Sequence, residues 1–332
     1  MGDVAGTGST QTRSLTVENS GRLDAVLAGA WADLSRARVQ RLIDAGHARV
    51  NGEAARKAMI VSTGDALELD VPDTSHELVP TGLSLPLLYE DESLAVINKP
   101  AGLAVHGAPG DTAPCVAAWW LEQIGPAAAA FDVERPGVVH RLDKDTTGVL
   151  VLAKSPAAQA ALSAAFEART TKKTYLALVE GVPDRPKAVI DAPIDRHPGD
   201  RMRMAIVKRG REARTSYELL HSDGRRSLLE VRPETGRTHQ IRVHLAAVGI
   251  PVCDDAVYGK REPGGRQLLH AYQLTIPHPN GGSLTVTAPI PADFDHAIRA
   301  SGAESEAIRF AQNVTPVLNE PAPVPATENQ PD

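Results

Sequence analysis

The stretch that decides the fold is GVVHRLDKDTTGVLVLAK, residues 137–154. Its first half is a polar loop that is dense in charge. Its second half contains VLVLA (149–153), an apolar run typical of a strand that is buried on both faces. A loop held rigidly at a sheet edge positions a reactive side chain well. The loop carboxylates, Asp143 and Asp145, are therefore candidates for catalysis. The alternative is that they only hydrogen-bond the backbone of their own loop.

Strand patterns dominate the sequence on both sides of this stretch, from residue 87 to about residue 301. LLYEDESLAVINKP (87–100) predicts a hairpin that turns at 91–93. Helices are few: one is predicted to follow the N-cap residue Ser155, and another covers 238–248. Many strands with few helices between them predict an α+β domain with a mixed, mostly antiparallel sheet flanked by helices. Further strands are predicted at 174–180, 213–220, 227–232, 267–275 and 283–288.

Residues 16–75 are predicted to form a separate small α+β module. A helix is predicted over 22–30, and Ser35 can cap a second helix over 36–45. Asn51-Gly52 predicts a tight hairpin after the second helix. The buried face of that helix is predicted from apolar residues at helical spacing, which are Val39, Leu42 and Ile43.

The remaining segments are predicted to lie outside these two domains. Residues 1–15 are small and polar, and we expect them to be disordered. Residues 76–86 are predicted to be a linker, because the surrounding stretch, 72–86, contains three prolines and little periodicity. Residues 303–332 are rich in acid, proline and alanine and are predicted to be a tail without a core. The larger domain then covers 87–302.

Composition sets limits on the function. The 332 residues carry a formal net charge of −6, which at first argues against a nucleic-acid partner. However, residues 303–332 hold −4 of that charge, whereas residues 35–57 have a net charge of +4, so the front of the chain is basic. No apolar window of about 18 residues predicts a transmembrane helix, and the N-terminus lacks the core of a signal peptide. We therefore expect a cytoplasmic protein with no membrane partner.

Three further segments accompany the deciding stretch. HRLDKDTTGVLVLAK (140–154) resembles the signature of RluA-type pseudouridine synthases, with Thr147 where serine is commoner. The segments KTYLALVEG (173–181), GRTHQIRVHLAAVGIPVCDDAVYG (236–259) and LLHAYQLTIPHP (268–279) resemble later motifs of that family, in the same order. The resemblance spans about 87–290. The layout resembles the RluD and RluC branches, which modify large-subunit ribosomal RNA, and it looks closer to RluD.

The resemblance implies a reaction and a set of residues. The family isomerises uridine to pseudouridine in structured RNA without cofactor or metal, after the target base has left its stack. By resemblance Asp143 is the catalytic carboxylate, acting as nucleophile or as base at the sugar, and Arg242 keeps it ionised. Tyr175 is expected to lie against the extruded uracil, with its hydroxyl as the route for the C5 proton. Arg141 is expected to fill the vacated space, and His140 to contact RNA.

The front of the chain resembles an S4 RNA-binding domain. The features that carry the likeness are RLDAVL (22–27), LSRARVQRLIDAGHARVNG (34–52) and TGDALEL (63–69). A basic helix face next to an apolar one suits phosphate contacts, although such a face can also be merely solvated. The predicted RNA-binding residues here are Arg36, Arg38, Arg41 and Lys57.

Alternative functions differ in class from this one. The first is a catalytically inactive RNA-binding protein that assists ribosome assembly. The second is a metal-dependent nuclease, which the histidine pattern does not favour, since His239 and His244 are five residues apart and no H-E-x-x-H motif is present. Cys115 and Cys253 form no C-x-x-C pair and predict no zinc site or disulfide. We expect a monomer whose partner is RNA, most of all large-subunit ribosomal RNA.

Overall fold

A computed structural model describes residues 10–31, 34, 36–56, 58–72, 81–107, 113–131, 136–311 and 316–319. The chain divides into two compact units. The first comprises residues 1–80 together with 121–136, and the second comprises 81–120 and 137–332. No helix in the described part of the chain is both long enough and apolar enough to cross a membrane.

The first unit contains two helices and a small antiparallel sheet in the order β1-β6-β3-β4. The predicted helices are present, and the Asn51-Gly52 turn joins β3 to β4 with both residues at positive φ, as such a hairpin requires. A second, two-stranded sheet pairs β2 with β5. The elements are β1 (Thr10–Thr16), β2 (Gly21–Arg22), α1 (Leu23–Ala30), α2 (Arg36–Asp44), β3 (Ala48–Val50), β4 (Glu53–Ala54), β5 (Ile60–Val61) and β6 (Ala66–Pro72).

The core of the first unit forms where α1 and α2 turn their apolar faces inward. The predicted buried face of α2 is confirmed, because Val39, Leu42 and Ile43 are all buried. They pack with Leu23 and Leu27 of α1 and with Leu67 and Leu69 of β6. The proposed N-cap Ser35 lies outside the described residues, as does Lys57.

The second unit is built on one ten-stranded sheet, whose main path runs β11-β14-β15-β10-β16-β9-β8-β7. β17 pairs with β16, and β18 pairs with β17. Its strands are β7 (Leu87–Glu90), β8 (Leu94–Lys99), β9 (Thr147–Ala153), β10 (Lys172–Glu180), β11 (Lys187–Asp191), β14 (Arg214–Ser222), β15 (Arg226–Pro233), β16 (Leu269–Pro277), β17 (Ser283–Thr287) and β18 (Val317–Asn319). A separate hairpin pairs β12 (Ile194–His197) with β13 (Asp200–Ile206).

Helices flank this sheet, so the predicted α+β class is confirmed. Helix α3 (Val116–Ile124) starts in this unit and continues into residues of the first unit, where a 3₁₀ turn (Gly125–Ala130) follows it. The helices beside the sheet are α4 (Pro156–Glu167), α5 (Gln240–Ala247), α6 (Ala292–Ala300) and α7 (Glu304–Ala311). The Ser155 hydroxyl accepts a hydrogen bond from Ala158 N at the start of α4, as predicted. The predicted hairpin is also present, because β7 and β8 flank residues 91–93.

Strand β9 lies near the middle of the sheet and all of its seven residues are buried. It pairs antiparallel with β8 and parallel with β16, and the other pairs in the sheet are antiparallel within the described residues. Gly148 is required at the crossing with β16: its φ is +112°, and a Cβ there would lie 2.1 Å from Ala271 O. The glycine of the signature therefore allows two backbones to approach closely.

Two terminal predictions were wrong. Residues 10–15 were expected to be disordered, but they belong to β1, which pairs along its length with β6. Residues 304–311 were assigned to a tail but form α7, whose contact side is buried because Ala303, Ala307 and Phe310 recur at helical spacing. β18 adds a short edge strand. The rest of both predicted tails, and residues 76–80 of the predicted linker, lie outside the described residues.

Candidate active site

The polar loop that precedes β9 is pinned to its surroundings by hydrogen bonds. Thr146 N donates to Asp143 O at 3.1 Å and closes a turn around the loop carboxylate. The Thr146 hydroxyl accepts from Gln267 Nε2, and the Thr147 hydroxyl pairs with His270 Nδ1 at 2.8 Å. These hydrogen bonds hold the loop rigidly. Thr147 keeps the hydroxyl of the commoner serine, and this hydroxyl has a hydrogen-bond partner in His270.

Asp143 and Arg242 meet although 99 residues separate them. Arg242 Nη1 donates to Asp143 Oδ2 at 2.9 Å. The guanidinium is almost fully buried, at 6% exposed, while the Asp143 side chain retains 17% exposure. The loop carboxylate therefore stays accessible while its counter-ion does not. In the described part of the chain this is the one hydrogen-bond donor to the Asp143 carboxylate, which leaves Oδ1 available.

Asp255 holds Arg242 from the other side. Arg242 Nε and Nη2 donate to the two Asp255 oxygens at 2.7 and 2.8 Å, in a bidentate pair that fixes the plane of the guanidinium. Asp255 is fully buried and also accepts from the backbone amides of Val257 and Tyr258. Burial opposes the charge on Arg242, but Asp255 and Asp143 outweigh it and raise the pKa of Arg242 above its ordinary value. Arg242 is thus a permanent cation at this position.

Tyr175 lies on β10 beside this ion pair. The pairing of β10 with β16 shifts register between Thr174 and Tyr175, an irregularity that changes the direction of side chains locally. Burial raises the pKa of the Tyr175 hydroxyl, and the negative charge of Asp143 raises it further. The charge of Asp143 therefore influences the Tyr175 hydroxyl, and the phenol is protonated at neutral pH.

Lys99, for which the sequence predicted no role, holds the loop that contains Asp143 in place. It ends β8, is fully buried, and its Nζ donates to the backbone carbonyls of Pro100, Leu103 and Lys144 at 2.8, 2.8 and 2.9 Å. Burial lowers its pKa to about 7, although the charges of Asp145 and Asp143 oppose that change. A lysine that follows the apolar run LAVI (94–97) at the end of β8 was the signal for this role.

The two other predicted residues of the loop differ in their surroundings. His140 is held inside the fold: Val151 N donates to its Nε2 at 3.0 Å, and its ring stacks on Phe166 with a centroid separation of 4.6 Å. Burial lowers its pKa to about 3, so the ring is neutral and fixed. Arg141 is exposed. An RNA contact stays a prediction for both residues, and the contacts of His140 indicate a supporting role in the loop.

The first unit contains a second arginine–carboxylate network. Asp24 on α1 is fully buried and receives two hydrogen bonds each from Arg22 and Arg36, at 3.0 to 3.3 Å, and a further one from Gln40. The two arginine side chains are about half exposed, at 49% and 52%. Arg36 is therefore present at the surface, as predicted, but in a fixed pair with a carboxylate that sequence analysis did not assign to it.

The other predicted basic residues of the first unit lie on α2. Arg38 is half-buried and Arg41 is exposed. Arg49, which contributed to the predicted basic charge of this region, is paired with Glu68 and Asp70. Part of the excess charge counted over 35–57 is therefore neutralised by acidic residues outside that window.

A metal site is not apparent in the described residues, since no group of three or more His, Cys, Asp or Glu side chains there is arranged to hold an ion. Both cysteines are buried and unpaired with each other.

Comparison with known proteins places this geometry in a family. Residues 93–247, which include Asp143, Tyr175 and Arg242, match the family described as RNA pseudouridylate synthase. An uncharacterized RNA pseudouridine synthase of Synechocystis is 43% identical, over 82% of this chain and 87% of its own. The chain belongs to the RNA pseudouridine synthases. Residues 21–67 of the synthase match the S4 domain, which confirms the second resemblance.

Further relatives agree with the branch and the fold. The ribosomal large subunit pseudouridine synthase D of Nitrosomonas europaea is 40% identical to the synthase over 84% of each chain. Among solved structures, human RNA pseudouridylate synthase domain containing 4 is 29% identical and superposes with a TM-score of 0.51, over 64% of this chain and 92% of its own. The expected RluD-like branch and the pseudouridine synthase fold are therefore confirmed.

Proposed function

We propose that this synthase isomerises uridines of large-subunit ribosomal RNA, with Asp143 as the catalytic carboxylate and with the target base turned out of its stack. The single observation that carries the proposal is the 2.9 Å pair between Asp143 and Arg242. The pair brings together two motifs that are far apart in the sequence. They meet at the Asp143 carboxylate, which is partly exposed.

The pair fixes the position of one Asp143 oxygen beside a buried cation. Arg242 is permanently charged, and Asp255 fixes its orientation, so its Nη1 remains directed at Asp143 Oδ2. The second oxygen, Oδ1, is then available to the ribose of the substrate, where Asp143 acts as nucleophile or as base.

Tyr175 and Arg141 supply the remaining groups. A tyrosine ring offers a stacking surface for an extruded uracil, a contact that contributes about 1–3 kcal/mol per base. Because the Tyr175 hydroxyl is protonated, it can take the C5 proton only while its own O–H proton passes to water or to the Asp143 carboxylate, whose charge influences the hydroxyl. Arg141, exposed two residues before Asp143, fills the space that the extruded base leaves.

The substrate class rests on two independent features. Relatives at 40% identity are named for the large ribosomal subunit. The S4 domain adds an arginine surface in which Arg22 and Arg36 flank Asp24, leaving net positive charge at half-exposed guanidinium groups. Guanidinium groups of this kind bind RNA phosphates.

The test uses the full chain and large-subunit ribosomal RNA labelled with tritium at uridine C5. Isomerisation exchanges the C5 hydrogen, so we expect tritium release in the presence of a chelator and no change in RNA length. Small-subunit ribosomal RNA, labelled in the same way, serves as the matched control and should release little. Binding without release would favour the inactive assembly factor, and chelator-sensitive cutting of the RNA would favour a nuclease.

A further inference from the structure

A basic segment of the second unit plays no part in the site described so far. VKRGREAR (207–214) joins β13 to β14 and holds four basic residues and one acidic residue within eight positions. Arg209, Arg211 and Arg214 are exposed. Neither the predicted RNA contacts nor the catalytic groups include any residue of this segment.

Buried hydrogen bonds clamp this segment to the loop before α5. Gln240, 4% exposed, donates from Nε2 to Arg214 O and Thr215 Oγ1, each at 3.0 Å. Its Oε1 accepts from Thr235 Oγ1 and from Arg237 N at 2.6 and 2.9 Å. The loop that carries Arg237 and the strand that starts at Arg214 therefore form one rigid body.

The position of Arg211 is fixed in a second way. Its backbone exchanges two hydrogen bonds of 2.9 Å with the backbone of Ile194, and a Cβ on the preceding Gly210 would lie 2.7 Å from Ile194 C. Only a glycine allows this approach. Among the described residues, the Arg211 side chain has no acidic partner within ion-pair distance. The fold thus presents an exposed guanidinium on a firmly held backbone.

Several cations converge at this point. Arg169 forms a bidentate pair with Glu212 at 2.9 Å, and Arg237 Nε donates to Glu212 O at 3.1 Å. Burial lowers the pKa of Arg237, and the nearby charges of Arg211 and Arg169 lower it further, so these arginines lie close enough to repel one another. We name Arg169, Lys173, Arg211, Arg214 and Arg237 the Arg237 cluster.

The Arg237 cluster carries more positive charge than its surroundings neutralise. Its five cations face two carboxylates, Glu212 and Glu234, which leaves an excess of three positive charges. Mutually repelling arginines that are held rigidly together form a site for an anion with several oxygens.

The Arg237 cluster also lies beside the catalytic elements. Arg237 lies three residues before the start of α5 and five residues before Arg242, and Lys173 precedes Tyr175 by two residues on β10. The charge of Lys173 contributes to the lowered pKa of His140, three residues before Asp143. The Arg237 cluster therefore shares β10 with Tyr175 of the candidate active site, and the loop that holds Arg237 leads into α5, which carries Arg242.

We propose that the Arg237 cluster binds backbone phosphates of the RNA strand that flanks the target uridine, with Arg211 and Arg237 as the main contacts. This inference rests on the proposed function in requiring an RNA substrate, but it concerns affinity and not the chemical step. The planar guanidinium fork matches the geometry of phosphate oxygens.

The test compares the full-length wild-type protein with Arg211→Gln, Arg237→Gln and the double variant. Dissociation constants for a ribosomal RNA fragment are measured by fluorescence anisotropy across salt concentrations. Each lost phosphate contact lowers the slope of log affinity against log salt by about 0.7 to 0.9, so the double variant should lose about 1.5. We expect its affinity near physiological salt to fall about tenfold or more, with kcat/KM falling in parallel.

The matched control is Arg225→Gln, an exposed arginine in the turn between β14 and β15, which should keep the wild-type slope. Arg211→Lys keeps the charge and should keep most of the slope, which separates charge from folding. If Arg237→Gln unfolds, Arg211→Gln alone decides, with a loss of about 0.7 in slope. Slopes equal to that of the control, or a lower kcat at unchanged affinity, would overturn the proposal. Because affinity is measured without turnover, absence of tritium release from wild-type protein would count against the proposed function alone.

Discussion

The two arginine–carboxylate networks of this protein have opposite composition. In the second unit one buried arginine, Arg242, is held between two carboxylates, Asp143 and Asp255. In the first unit one buried carboxylate, Asp24, is held between two arginines, Arg22 and Arg36. In each network the single central group is buried, and at least one of the paired groups reaches the surface.

This inversion agrees with the different uses that we propose for the two networks. The Arg242 network has a net negative charge and exposes part of a carboxylate, the group that can act on a ribose carbon. The Asp24 network has a net positive charge and exposes guanidinium groups, which suit phosphate. In both, the buried member fixes the direction of the exposed one, so binding and chemistry begin with groups already oriented.

The largest expected effect comes from removing the buried cation of the Arg242 network. Arg242→Gln leaves Asp255, which is fully buried, without its ion partner. Breaking a buried pair in this way costs about 3–5 kcal/mol in the free energy of unfolding, measured by chemical denaturation of the full chain. The matched control is Arg299→Gln, which removes surface pairs with Asp295 and Glu304 and should cost less than about 1 kcal/mol. Equal losses would show that the burial of Arg242 has no energetic weight.

A smaller effect is expected in the first unit. Asp24→Asn removes the charge that holds two half-exposed arginines, which water can still solvate, so we expect a loss of about 1 kcal/mol in local stability. Hydrogen exchange of the amides of α1 and α2 in the full chain measures it. RNA affinity should fall as well, because Arg22 and Arg36 lose their fixed orientation. Unchanged protection together with unchanged affinity would contradict a positioning role for Asp24.

The smallest expected effect is a dependence of stability on pH that arises from the Asp24 network. Hydrogen bonds from Arg22, Arg36 and Gln40 lower the pKa of Asp24 well below its ordinary value, and its burial only partly opposes them. The unfolded chain therefore binds a proton at Asp24 before the folded one does, and stability decreases as the pH falls below about 4. Hydrogen exchange of α1 at pH 5 and pH 3 should show this loss in wild-type protein and a weaker one in Asp24→Asn. An identical change in both would assign it to other groups.

The sequence predicted the Arg242 network better than the Asp24 network. The loop and β9 have strong local patterns, and the family motifs contain Asp143 and Arg242, which the fold brings together. Asp255 lies in the segment 236–259 that resembles a family motif, but nothing local in the sequence indicates that its carboxylate pairs with an arginine 13 residues earlier. Lys99 was missed for a related reason, since its partners are backbone carbonyls.

Charge counting in the first unit failed for a physical reason. A window over 35–57 cannot include Asp24, Glu68 or Asp70, which neutralise Arg36 and Arg49 from other elements. Composition was misleading at both ends of the chain as well. β1 gains its order from pairing with β6, and α7 gains it from three apolar residues among acidic ones; only the α7 spacing was visible in the sequence.

The most direct test of the central claim is the single-turnover rate of tritium release by Asp143→Asn. The substitution keeps the shape of the side chain and removes its charge. We predict a loss of at least about a thousandfold, with nearly unchanged RNA affinity, because the carboxylate acts on the sugar and not on the phosphates. The exposed carboxylate variant Asp184→Asn should retain the wild-type rate. An Asp143→Asn rate close to that of Asp184→Asn, or a loss of RNA binding equal to the loss of rate, would contradict the account.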